Sequence, residues 1–380
     1  MTDIHGSVAA GFEPVREAFE RNFAEHGEVG ASFAVRRGDE VLADLWGGHA
    51  DAAKSRDWET DTITTVYSTT KGMAALVLAM LADRGELDYD ARVAEYWPEF
   101  AANGKEAVLV RELLSHQAGL CGWKEPVTLE DVYDWEKSTV LLAAQAPLWP
   151  PGTKNGYHAL TFGHLAGEVA RRITGVSIGR WFHEHVAVPL GADFFIGLPE
   201  AEEGRVAEMI SARTSGDAPA RDPSRMSEAM RLAFGHPALG RDNHNTRAWR
   251  AAEIPAANGQ GNARGLATVY GVLAVGGGDL LSAAGIAAAT TVECERKDEV
   301  LGFPMRWSRG FIINNTATRS GNGIYGPNSH SFGHSGAGGS LGFADPDAGI
   351  GVGYVMNQMQ QNLQGDPRSL ALIEALYDCI

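Results

Sequence analysis

The chain is predicted to be an α/β protein built on one antiparallel sheet drawn from both ends of the sequence, with helices on it and a mainly helical insertion between. Three observations point there. Strand patterns concentrate before residue 50 and after residue 300, the middle reads as helix and loop, and one strongly apolar helix stands at the junction. The expected boundaries are 1–88 and 260–380 for the strand-rich domain and 89–259 for the helical insertion with its long loops. With 44% hydrophobic residues in 380, the chain can bury a sizeable core.

Taken in order, Phe12, Val15, Phe19 and Phe23 recur at spacings of three and four, which predicts an amphipathic helix over about 11–26. Residues 31–36 and 41–46 alternate as two strands around the turn Arg37-Gly38-Asp39-Glu40, an antiparallel hairpin. The stretch VYSTTKGMAALVLAMLADRG (66–85) then reads as a helix closed at Gly85. It lacks a clean polar face and is therefore expected in the core. Irregular helical text follows, with a Pro-rich turn at 149–152, a helix over about 160–173 ending at Gly175, and another around RWFHEHVAVPL. Residues 205–260 are rich in Arg, Ser, Gly, Pro and Asn and are expected to form a long loop region with short helices, of the sort that serves as lids or pocket walls. Strand character returns at Phe303–Asn314 and in SFGHSGAGGSLGFADPDAGIGVGYVMNQ, and Pro367–Tyr377 closes the chain as a helix.

Composition narrows the function classes. The net charge of -16 argues against nucleic acid or an anionic membrane as partner, and no apolar run has transmembrane length. The first thirty residues are acidic where a signal peptide would be basic and apolar, so a cytoplasmic location is expected. Cys121, Cys294 and Cys379 are odd in number and widely spaced, fitting a reducing compartment and no zinc pattern. Neither a metal nor an organic cofactor is expected.

Chemistry concentrates in the apolar helix. Ser68 and Lys71, three apart at its start, project from one face, and a lysine lowered in pKa by burial and a helix N-terminus can take the proton of a serine. Tyr157, in a turn before a helix, is placed to point a phenol into a cleft, where a neighbouring ammonium would ease its ionisation. Gly333-His334-Ser335-Gly336-Ala337 is expected on a strand whose backbone N–H, with that of Ser68, would make an oxyanion hole. Asn258-Gly259 and Ala263-Arg264 are expected to brace the site, Arg264 structurally.

These stretches carry a resemblance. Ser-Thr-Thr-Lys at 68–71, LLSHQAGL at 113–120, PGTKNGYHALTFGHLAG from 151 and FGHSGAGGSLGFADP from 332 resemble, in order, the motifs of serine β-lactamase-like hydrolases, close to class C β-lactamases and family VIII carboxylesterases. The resemblance covers nearly the whole chain. It implies an α+β sandwich of the β-lactamase/transpeptidase type with an all-helical subdomain, Ser68 as the acylated nucleophile, Lys71 and Tyr157 sharing the proton work, and the backbone of Ser68 and Ala337 binding the oxyanion.

Two departures bear on substrate. Tyr157-His158-Ala159 lacks the Asn of the Tyr-x-Asn common in β-lactamases, and His334-Ser335-Gly336 stands where they have Lys-Thr-Gly. The second exchanges a fixed positive charge for an imidazole mostly neutral at pH 7, so a grip on a carboxylate is weakened. The expected reaction is therefore hydrolysis of small carboxylic esters through an acyl-enzyme, with weak β-lactamase activity compatible. Alternatives on the same site are a D-amino-acid amidase or peptidase, a β-lactamase and an acyltransferase; outside it stands a catalytically silent binding protein. The expected partner is a small-molecule ester, with homo-oligomers left open.

Other candidates are weighed against these. Gly338-Gly339-Ser340-Leu341-Gly342 formally matches a Gly-x-Ser-x-Gly nucleophile turn, but no helix pattern follows it and no histidine occurs after His334. His183 and His185 do not share a helix face and read as surface residues. His116 reads as a buried structural histidine. Trp123, Trp149 and Trp307 are candidate walls of an acyl pocket or ordinary core.

Overall fold

A computed structural model of the chain describes residues 2–212, 226–240, 242–317, 322–362 and 365–380. Twelve strands are present among them: β1 (Ile4–Val8), β2 (Gly30–Arg37), β3 (Glu40–Gly48), β4 (Thr64–Thr65), β5 (Phe194–Phe195), β6 (Gln260–Gly261), β7 (Cys294–Lys297), β8 (Pro304–Trp307), β9 (Ile312–Ile313), β10 (Phe332–Ser335), β11 (Leu341–Asp345) and β12 (Ile350–Met356). Nine form one antiparallel sheet in the order β1-β3-β2-β12-β11-β10-β9-β8-β7, and β4, β6 and β5 form a small second sheet. The two ends of the sequence join at β2 and β12, where Phe33 lies opposite Tyr354. Both strands are buried along most of their length, as a sheet centre covered by helices requires.

Helices cover this sheet. The closing helix Pro367–Tyr377 packs against the opening helix Glu13–Glu25, and the Ala263–Ala274 helix lies on β12, β2 and β11. The apolar stretch forms the helix Thr70–Asp83, buried at every residue from Thr70 to Leu81, as a sequence without a polar face demands. It packs against β10 and against the helices Thr161–Thr174, Ile178–Phe182 and Ala283–Ala289, so its N-terminal end meets both the sheet and the helical part of the fold.

One expectation is corrected and one strand is added. The single strand expected over Phe303–Asn314 is a hairpin, β8 and β9, because Ser308-Arg309-Gly310 turns the chain, with Gly310 at φ 112° where a β-carbon would lie 2.6 Å from that of Ala75. Strand β1 had no sequence signal: Ile-His-Gly-Ser-Val lies at the sheet edge with only its end residues partly buried, so alternation is not imposed on it. Of the loop region expected over 205–260, residues 213–225 and 241 lie outside the described residues. The rest carries the short helices Glu228–Gly235 and Arg247–Ala251. Among the described residues, no helix is long and apolar enough to cross a membrane, and no cluster of His, Cys, Asp or Glu could hold a metal ion.

Candidate active site

The chain enters the central helix through a strained turn. Tyr67 has φ 46°, a left-handed conformation unfavourable for a bulky aromatic residue, and it persists because its neighbours are clamped. Val66 N–H donates to Gly259 O, Thr70 Oγ1 donates to Tyr67 O at 2.5 Å, and Gly259 N–H donates to Thr70 Oγ1. Ser68 follows in the turn, before the helix rather than within it, with Lys71 N–H donating to Ser68 O at 2.9 Å. The expected spacing of three therefore brings the two side chains together through the turn: Lys71 Nζ is 3.2 Å from Ser68 Oγ.

Lys71 is fully buried, and its Nζ donates to the carbonyls of Ala159 and Ala256 at 2.8 Å each. Burial holds its amine well below the ordinary lysine range. A neutral amine has two N–H groups and one lone pair. With both N–H groups committed to carbonyls, the lone pair is left for the Ser68 hydroxyl. Asn258 braces this arrangement: it accepts from Ile254 N–H and donates to Trp249 O and Ala252 O, closing the turn that presents Ala256.

On the other side, Tyr157 donates its phenol to Ser68 Oγ at 2.6 Å. Its ring lies 4.6 Å from Lys71 Nζ and stacks on Trp307 at 5.8 Å with planes 8° apart. The expectation that a neighbouring ammonium would ease its ionisation is corrected. Burial raises the phenol above its ordinary value, and the Ser68 hydrogen bond does not offset this, so Tyr157 rests as a donor.

Strand β10 forms the third wall. A β-carbon on Gly336 would lie 2.2 Å from Val66 O and 2.3 Å from Ser340 Oγ, so only glycine lets the strand end sit directly on the turn that carries Ser68. Ser340 is buried there and donates to Val66 O at 2.7 Å, which makes it a tie between the two segments. His334 Nδ1 faces the carbonyl of Ser335 at 2.7 Å; a carbonyl only accepts, so Nδ1 carries a proton. Burial above all pushes its pKa down to about 3, which leaves the ring neutral near pH 7.

Ser68, Tyr157, His334, Ser335 and Ala337 all line one cavity of about 280 Å³. Apart from Tyr67, its remaining walls are apolar, among them Leu160, Phe234, Leu239, Leu301, Phe303, Trp307 and Ile312. Among the described residues, no carboxylate, guanidinium or ammonium lines it.

Trp123 and Trp149 are not in that wall, and the expectation that they line an acyl pocket is corrected. Trp123 is fully buried, donates to Ser138 O and packs edge-on against His164; Trp149 lies against Gly156, just before Tyr157 in the chain. His116 is structural, its Nδ1 accepting from His158 N–H and its carbonyl from Gly156 N–H. His158 is held likewise, Nδ1–H on Gly156 O and Nε2 accepting from Leu120 N–H. Arg264 pairs with Asp44 and lies over Trp46, away from the cavity. His185 stacks on Trp181. Of the apolar walls at 233–239 and 301–312, Trp307 was a candidate from the sequence and the others were not, because Leu and Phe in such segments read as core wherever they fall; for 233–239 the loop richness of 205–260 was the signal.

The match to the Beta-lactamase family model runs over residues 15–376. The chain is 36% identical to Esterase/beta-lactamase LipL of Mycobacterium tuberculosis over 369 residues, 94% of this chain and 83% of that protein. Among solved structures, it is similar to a family VIII carboxylesterase at 55% identity over the whole of both chains with a TM-score of 0.93. It is also similar to a penicillin-binding protein homologue from Caulobacter crescentus at 43% identity over the whole of both chains with a TM-score of 0.91. With a family match over nearly its whole length and the mixed fold of sheet and helices described above, the chain belongs to the Beta-lactamase family.

Proposed function

We propose that the protein is a serine carboxylesterase that cleaves small, uncharged esters through an acyl-enzyme on Ser68. The observation that carries this reading is the Ser68 hydroxyl held between the Lys71 amine and the Tyr157 phenol in a cavity that no charged side chain lines among the described residues. The relative named as an esterase/β-lactamase and the structure of a family VIII carboxylesterase support it.

In the proposed reaction, the neutral Lys71 amine takes the Ser68 proton as Oγ bonds to the ester carbonyl carbon. The carbonyl oxygen becomes an oxyanion, for which the N–H groups of Ser68 and Ala337 are the proposed donors. When the C–O bond to the alcohol breaks, Tyr157 gives its proton to the leaving oxygen and Lys71 replaces it. Water then attacks the acyl carbon as Lys71 takes one of its protons, and that proton passes to Ser68 Oγ as the acyl C–O bond breaks, while the other proton of the water stays on the acid. The acid leaves and the site is restored.

The uncharged walls bear on the substrate. A β-lactam brings a carboxylate and a D-aminoacyl amide an ammonium, and each would lose hydration against apolar walls without a paired charge. A cavity of about 280 Å³ sits at the small end of ligand pockets. In a screen of the purified protein, p-nitrophenyl acetate and butyrate are expected to exceed nitrocefin and D-alanyl p-nitroanilide in kcat/KM by about a hundredfold or more, the penalty of about 2–3 kcal/mol for one unpaired group. Equal or better turnover of nitrocefin or of the amide would replace the esterase reading with the corresponding alternative.

A further inference from the structure

Asp298 is a fully buried carboxylate just past the end of β7, at the turn into β8, and no ion pair to it is formed among the described residues. Five N–H groups satisfy it instead. Oδ1 accepts from the backbone of Tyr157 at 3.0 Å and of Val300 and Leu301 at 2.9 Å each; Oδ2 accepts from Asn155 Nδ2 at 2.8 Å and from the Trp307 indole at 3.3 Å. Burying an unpaired carboxylate is costly, and hydrogen bonds of this number are what make it tolerable. An amide could not replace it, having one acceptor oxygen and two N–H groups that would face donors.

What those five donors belong to gives the arrangement its meaning. Tyr157 is the phenol on Ser68, Trp307 is the ring stacked on that phenol, and Leu301 is a wall of the cavity. They come from two parts of the fold, the turn before the Thr161–Thr174 helix and the β7–β8 hairpin at the sheet edge. One side chain joins them. We infer that Asp298 is the positioning residue of this site, fixing the Tyr157 backbone and the Trp307 ring so that the phenol oxygen stays within hydrogen-bond reach of Ser68. Asp298 acts through Tyr157 and does not line the cavity. The inference rests on the proposed role of Tyr157.

A misplacement of the order of 1 Å at a reacting group costs about a hundredfold in rate. The test compares wild type, Tyr157→Phe, Asp298→Asn and Asn155→Ala with p-nitrophenyl butyrate, each rate divided by the number of active sites titrated with a fluorophosphonate. Asp298→Asn is expected to lower kcat per titrated site by about 10- to 100-fold with KM within about twofold. Asn155→Ala, which removes one donor and leaves Asp298 in place, is expected to lower it in the same direction by less. A merely structural Asp298 would instead leave fewer titratable sites, each working at the wild-type rate. That result in Asp298→Asn overturns the inference, as does a wild-type rate per site in Asn155→Ala if Asp298→Asn does not fold. If Tyr157→Phe keeps the wild-type rate, the role of Tyr157 itself is wrong and the inference falls with it.

Discussion

Ser68→Ala is expected to lower kcat for p-nitrophenyl butyrate by at least about 10⁴-fold, the scale seen when a nucleophile is removed from a site whose groups act as a unit. No neighbour can take over. Ser340 is buried, with its hydroxyl donated to Val66 O, and the Ser335 hydroxyl has no hydrogen bond to a base among the described residues. The substitution removes one oxygen from a half-buried turn residue. The clamps on that turn run through Val66, Thr70 and Gly259, so the fold is expected to be kept. Activity within tenfold of wild type, measured on protein free of host esterase, would remove Ser68 from the mechanism.

Lys71→Met should have the second largest effect, a fall of about 10²- to 10⁴-fold in kcat/KM, the usual share of a general base. The pH dependence has a definite sign. Burial holds the folded-state pKa of Lys71 well below its ordinary value, so the amine is neutral and able to accept a proton only above that lowered pKa. Wild-type kcat/KM should therefore fall as pH drops through it, with the limb reporting the free enzyme. Stability is linked to the same group. Between the folded pKa and the unfolded value of about 10.4, the unfolded chain binds the proton that the folded protein lacks, so wild-type stability rises with pH by up to about 1.4 kcal/mol per unit. Lys71→Met has no such group. Denaturant unfolding of both proteins at several pH values in that window should show the difference between them changing with this slope, and a pH-independent difference would mean that Lys71 is protonated in the fold.

Much of the site could be read from residue order because its chemistry depends on residue types that are unusual in their surroundings. A lysine within an otherwise apolar helix and a glycine-rich strand are visible without a structure, and so is the hairpin at Arg37–Glu40, where an alternating pattern breaks at a turn residue. Other parts were hidden for identifiable reasons. The state of Tyr157 depends on burial by segments distant in sequence, so the ammonium argument gave the wrong direction. Trp123, Trp149 and Trp307 are alike as letters. Only the third sits on the hairpin that folds against Tyr157. Asp298 is one acid among 48, and what distinguishes it is the set of N–H groups that converge on it from residues 155 to 307.

The central claim is that Ser68 carries the acyl group. Its most direct test is intact-mass analysis of the protein after reaction with a fluorophosphonate, followed by peptide mapping of the adduct. One adduct per chain on Ser68, absent from Ser68→Ala, is the expected result. An adduct on Ser335 or Ser340, or none on a protein that is turning over esters, would contradict it.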